Sequence, residues 1–259
     1  MRRPIVIIGI GELGGVFAKA FLHYGYPVYP VTRTMNIDEE SENLPNPQLV
    51  LVAVAERDFS SVMATIPPQW RDAVGLLQNE LLPSNWETHG IKQPTVISVW
   101  FEKKRGMDYN VLIPSRVYGP RAELIANSLE SINISSRILS SEEDLLYELV
   151  RKSVFVFTIN IAGLVLNKNT TTGILWQEHN ELARNIADDV MAVLQSKIGR
   201  TLQPNRLIDG MIEGINGDPD HKCKGRSAQD RLDRLIAIAD KAGLPVPIIR
   251  KIFKANLNG

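Results

Sequence analysis

In the first half of the chain, apolar residues gather in short unbroken runs, separated by stretches long enough for a turn and a helix. Residues 4–8 (PIVII) are the first such run. Continuous apolar runs without alternation mark strands covered on both faces. Glycines follow, then a helical spacing through Val16, Ala20 and Phe21 that ends near Gly25. Residues 27–31 read as a second strand and 49–54 (LVLVAV) as a third, after a loop rich in Glu, Asn and Pro. Residues 58–64 read as a helix, 73–77 and 95–100 (TVISVW) as further strands, and 111–113 and 132–139 as edge strands. Strands and helices in this order predict a doubly wound, mainly parallel α/β sheet of Rossmann type.

Beyond about Ser140 the pattern changes. Residues 142–166, 178–197, 204–213 and 227–242 all read as helices, with no further strand pattern. Ser140 or Ser141 before Glu142 and Glu143 suits an N-cap followed by acids in the first turn. The reading is therefore a nucleotide-binding domain over residues 1–141 and a smaller all-helical substrate and dimerisation domain over 142–259.

The first turn carries the clearest chemistry. Gly9-Ile10-Gly11-Glu12-Leu13-Gly14 fits G-x-G-x-x-G directly after a strand and before a helix. The first glycine permits the tight turn, the second lets a pyrophosphate approach the backbone, and the third allows helix and strand to pack closely. The helix N-terminus adds free N–H groups and positive dipole. Glu12 is expected to point away from the phosphates. The second strand ends Val31-Thr32-Arg33-Thr34, with no acid before Asp38 to bind ribose hydroxyls. A guanidinium can bind a 2′-phosphate that a carboxylate would repel, and Thr32 and Thr34 add hydroxyls. The cofactor is read as NADP(H); the competing reading of Arg33 is a solvated surface arginine.

Composition narrows the class. The 259 residues are 44% apolar and 22% charged, with zero formal net charge, so no basic excess argues for a nucleic-acid partner. The single cysteine, Cys223, excludes an internal disulfide framework and fits a reducing cytoplasm. The longest apolar run, 153–166, is short of the ~20 residues that span a bilayer and is interrupted by Asn160, so no membrane association is expected.

That run lies within RKSVFVFTINIAGLVL, which starts at Arg151. If 142–166 is one helix, Lys152, Val156 and Asn160 fall on one stripe at four-residue steps. Two readings follow. Lys152 and Asn160 face a cleft, where the ammonium donates a proton to a carbonyl oxygen receiving hydride at its carbon and the amide orients it. Alternatively, Lys152 snorkels from a core helix and Asn160 satisfies a buried carbonyl.

The glycine loop, Arg33, the stretch LLQNELLP and the helix bearing Lys152 together resemble ketopantoate reductase, within the group sharing a 6-phosphogluconate-dehydrogenase-like helical domain. The resemblance covers nearly the whole chain. It implies that Gln78-Asn79 matches the family's Q-N-G motif, Asn79 helping to hold nicotinamide and substrate. It also implies that Lys152 is the general acid of carbonyl reduction and Asn160 a substrate-binding asparagine. An acidic residue used by the family near the substrate aligns with Ser227, read either as a substrate contact or as a helix cap. Departures are specific: Val156 replaces an asparagine, Ala55 a lysine with Arg57 nearby, and Glu80 a glycine. The implied activity is NADPH-dependent reduction of a small keto acid or related carbonyl, compatible with a homodimer. A degenerate NADP(H)-binding sensor or interaction protein and an imine reductase are the other readings. The four histidines show no metal-site spacing, and the basic run 221–226 reads as a solvated loop or an anion contact.

Overall fold

The computed structural model describes residues 2–103 and 106–257. The chain divides into two compact units, Met1–Leu149 and Val150–Gly259.

The first unit is built on a seven-stranded sheet. Its strands are β1 (Ile5–Ile8), β2 (Val28–Val31), β3 (Leu49–Val52), β4 (Val74–Leu76), β5 (Thr95–Ser98), β8 (Ser115–Tyr118) and β9 (Ser136–Ile138), in the order β2-β1-β3-β4-β5-β8-β9. Neighbours pair in parallel except β5 with β8. A separate hairpin joins β6 (Phe101–Lys103) to β7 (Tyr109–Val111). The central strands are short and apolar because both faces are covered. Ile5 and Ile7 of β1 and Leu49 and Leu51 of β3 enter one core with Phe17, Phe21, Ile125 and Leu129. Val6, Ile8, Val50 and Val52 enter the other with Phe59, Met63, Trp70 and Trp86. Each such side chain contributes roughly 1.5–3 kcal/mol of burial. The first face is covered by α1 (Glu12–His23) and α5 (Ala122–Glu130), and the second by α3 (Glu56–Ala64) and the 3-10 turn Pro68–Ala73. Two short helices, α2 (Ile37–Asn43) and α4 (Ser84–Glu87), complete the unit.

The long helix α6 (Glu142–Val165) starts where Ser141 Oγ accepts the Asp144 N–H at 3.1 Å. The division between units falls inside α6, after Leu149, rather than at the 141/142 boundary where the strand pattern gives way to helices. The physical reason is that Leu145 and Leu149 are buried in the sheet unit's core. Buried Glu148 also accepts hydrogen bonds from Ser98 Oγ (2.9 Å) and Trp100 Nε1 (2.5 Å) at the end of β5.

The second unit continues α6 with α7 (Thr172–Glu178), α8 (Asn180–Ile198), α9 (Pro204–Gly217), α10 (Ala228–Lys241) and α11 (Pro247–Leu257). Small residues set its packing: a Cβ on Gly163 would lie 2.5 Å from the Lys224 nitrogen, and one on Gly210 2.6 Å from Arg151 Cδ. Arg151 thus crosses α9 to reach Glu213 at 3.3 Å. Among the described residues, no helix is long and apolar enough to cross a membrane.

Candidate functional site

In the sheet unit, the candidate residues follow the C-terminal ends of β1, β2, β3 and β4, the edge at which open α/β sheets bind ligands. Gly9 turns the chain with φ +95°, and its N–H donates to Val31 O at 3.0 Å. A side chain there would meet Ala53 O at 2.7 Å. Gly14, in the first turn of α1, is buried under the loop, where a Cβ would sit 2.1 Å from Gly9 O. Gly11 differs from both: a Cβ placed on it meets nothing within 4 Å. It is the N-cap of α1, no side chain caps that end, and Ile10, Gly11 and Glu12 are exposed. The first and third glycines thus satisfy the fold's own packing, and the second leaves room for an incoming group. Leu13 packs against the core, and Glu12 borders an open cavity of about 370 Å³ with Lys19, Lys103 and Tyr109. Room at Gly11 beside an uncapped helix end fits a dinucleotide pyrophosphate.

Beyond β2, Thr32 Oγ1 and Thr34 Oγ1 lie 3.2 Å apart, and Arg33 reaches across to α3. Its Nη2 is 3.0 Å from Asp58 Oδ2, with the side chain still 83% exposed. Arg57 Nε stands 3.8 Å from the other oxygen of the same carboxylate. At the end of β4, buried Gln78 donates to Val52 O at 2.6 Å, binding the ends of β3 and β4 together. Asn79 follows, its Nδ2 donating to Glu56 Oε1 at 3.0 Å. Glu80 then takes φ +64°, the left-handed geometry that favours glycine. The first turn of α3 therefore joins Arg33 to Asn79 through Asp58 and Glu56. The sequence reading took neither acid as a site residue; its signal was the charged run Glu56-Arg57-Asp58 directly after an apolar strand.

In the helical unit, α6 is continuous through the second candidate group, so Lys152, Val156 and Asn160 do fall at successive four-residue steps. Lys152 is 9% exposed, Asn160 is buried and Val156 is half-buried. Asn160 Oδ1 accepts from Nη1 of buried Arg231 at 2.8 Å, and Gly225 lies so close that a Cβ would be 2.7 Å from that oxygen. An arginine can only donate, so the amide atom facing Arg231 is the oxygen. Ser227 is the N-cap residue of α10, but no side-chain cap hydrogen bond forms. The run 221–226 is less solvated than its charges suggest. Lys222 and Lys224 are exposed, yet Cys223 is fully buried, its N–H donating to Thr170 O at 3.0 Å. Burial pushes its thiol up to about 11. Arg231 was missed from sequence because it resembles the exposed arginines around it on an amphipathic helix.

The architecture is that of a Rossmann-type α/β unit followed by a helical unit. More specifically, the chain has the fold of the 2-dehydropantoate 2-reductases, also called ketopantoate reductases. The crystal structure of that enzyme from Methylococcus capsulatus superposes with a TM-score of 0.70 at 12% identity, covering 97% of this chain and 95% of the other. A D-mandelate dehydrogenase with NADH and anilino(oxo)acetate gives 0.68 at 13%, covering 97% and 96%. A dimeric ketopantoate reductase from Staphylococcus aureus gives 0.64 at 14%, again over 97% and 96%. No family model matches the sequence, and no curated protein matches it.

Proposed function

We propose that the protein is an NADPH-dependent reductase of a small 2-keto acid or related carbonyl, acting in a reducing cytoplasm. The observation that carries this reading is the room left at Gly11 beside an uncapped helix end, in a chain whose fold neighbours include ketopantoate reductases and an NADH-bound dehydrogenase. The loop from Gly9 to Gly14 receives the pyrophosphate, Arg33 with Thr32 and Thr34 the 2′-phosphate, and Asn79 the nicotinamide end. Bound dihydronicotinamide supplies the hydride. Lys152 hydrogen-bonds the carbonyl oxygen, stabilises the developing alkoxide and gives up the proton that completes the alcohol. Asn160, its oxygen already accepting from Arg231, offers its Nδ2 hydrogens to substrate and so orients a carbonyl or carboxylate oxygen. Ser227, its hydroxyl not used as a cap, is a further substrate contact in this reading.

The test is NADPH oxidation with a panel of 2-keto acids and cyclic imines, compared with Lys152→Ala. Removing a general acid is expected to lower kcat by about 10²–10⁴-fold while NADPH affinity is kept. A second reading, an NADP(H)-binding sensor without turnover, draws on apolar Val156 in the Lys152–Asn160 stripe and on the Arg231 bond that ties up half of Asn160. It wins if NADPH binds, no carbonyl or imine is consumed and Lys152→Ala behaves as wild type. The dimeric state of the Staphylococcus aureus enzyme makes a homodimer part of the proposal, to be checked by sedimentation.

A further inference from the structure

Two guanidiniums in the sheet unit converge on one carboxylate. Arg33, after β2, binds one oxygen of Asp58 at 3.0 Å, and Arg57, in the first turn of α3, stands 3.8 Å from the other. The strands preceding these segments, β2 and β3, flank β1, whose end carries the glycine loop. All three side chains reach solvent, at 83%, 78% and 36% exposure. A carboxylate giving one oxygen to each of two guanidiniums has the charge pattern of a small phosphate. Exposed, solvent-screened pairs of this kind hold weakly, so the seat can be vacated at little cost.

We propose that Asp58 occupies the seat of the cofactor's 2′-phosphate between Arg33 and Arg57, and thereby sets the balance between phosphorylated and unphosphorylated dinucleotide. The inference rests on the reading of Arg33 as the 2′-phosphate ligand and adds the two residues that complete and oppose it. A phosphate brings enough oxygens to engage both guanidiniums, and Arg57 is its second ligand. Asp58 is anchored in the first turn of α3, so when its side chain gives up the seat its charge still borders the dianion and weakens its binding. With an unphosphorylated ribose, the same carboxylate accepts hydrogen bonds from the hydroxyls, the usual role of an acid near this edge. Asp58 therefore narrows the preference for NADPH.

The experiment measures dissociation constants of NADPH and NADH by nucleotide fluorescence for wild type, Asp58→Asn, Arg57→Ala and Arg33→Asp, with circular dichroism confirming each fold. Asp58→Asn is expected to tighten NADPH about tenfold and leave NADH equal or weaker. Arg57→Ala is expected to weaken NADPH about tenfold with little change for NADH. Both effects should shrink as salt is raised. A ratio of the two constants that stays within about twofold in Asp58→Asn and Arg57→Ala, while Arg33→Asp selectively loses NADPH, overturns this inference and leaves the Arg33 reading standing. Equal losses of both nucleotides in Arg33→Asp overturn both.

Discussion

At the scale of single residues, the glycine loop separates what the fold needs from what a ligand needs. Gly14 has no freedom: a methyl group there meets a main-chain oxygen at 2.1 Å, and neither partner is the end of a flexible side chain. Gly14→Ala is expected to cost more than about 3 kcal/mol in urea unfolding, beyond ordinary overpacking. Gly11→Ala should behave differently. Its φ of −76° suits any residue and nothing in the chain approaches its Cβ. Stability should stay within about 1 kcal/mol of wild type, while NADPH affinity falls at least about tenfold, because the methyl occupies the pyrophosphate's approach. Unchanged affinity in a folded Gly11→Ala protein would mean that no phosphate comes close to this loop. The turn at Gly9 and the close packing at Gly14 were legible from spacing alone. Asp58 and Arg231 were not, because their roles come from partners 25 and 71 residues away, Arg33 and Asn160.

At the scale of elements, legibility followed how locally each element is specified. The strands β1 and β3 announce themselves because every residue is apolar and both faces are covered. Strand β8 was missed: its sequence SRVY buries two polar residues, Ser115 and Arg116, and so shows no apolar run. The helix read over residues 178–197 is α8, which starts two residues later because Glu178 and His179 end the short α7, an element not read from the sequence. The last helix, α11, was missed for a clearer physical reason. It opens with Pro247, a good first helical residue, but its cap lies on another helix. Asp189 of α8 accepts the N–H groups of Ile248 (2.7 Å) and Ile249 (3.0 Å), so the start signal stands 59 residues from the first amide it satisfies. Asp189→Ala leaves two amides without that acceptor beside fully buried Ile249 and is expected to destabilise the protein by about 2–3 kcal/mol. Hydrogen exchange should show early loss of protection at residues 248 and 249. Protection unchanged there would show that α11 is held by side-chain packing alone.

At the scale of the whole molecule, one group reports on the integrity of the helical unit. Cys223 is the chain's only cysteine and is fully buried beside α6, where Gly163 lets the loop backbone approach. Its thiol, raised by desolvation from 9.0 to about 11, keeps its proton through the range in which an exposed thiol ionises. Iodoacetamide at about pH 8 should therefore label the native protein only as fast as the unit opens, and rapidly once guanidinium unfolds it. The sign of the linked pH effect follows from the same burial. Between about pH 9 and 11 the unfolded chain has released this proton and the folded chain has not, so stability falls as pH rises through that window. The loss from this group is on the order of 2 kcal/mol, present above pH 11 and absent below pH 9. Cys223→Ala removes the titrating group, so its unfolding free energy should decline less steeply over the same range. Equal slopes for wild type and variant, or rapid labelling of the native protein, would place the thiol in contact with water and refute a sealed packing of this loop on α6.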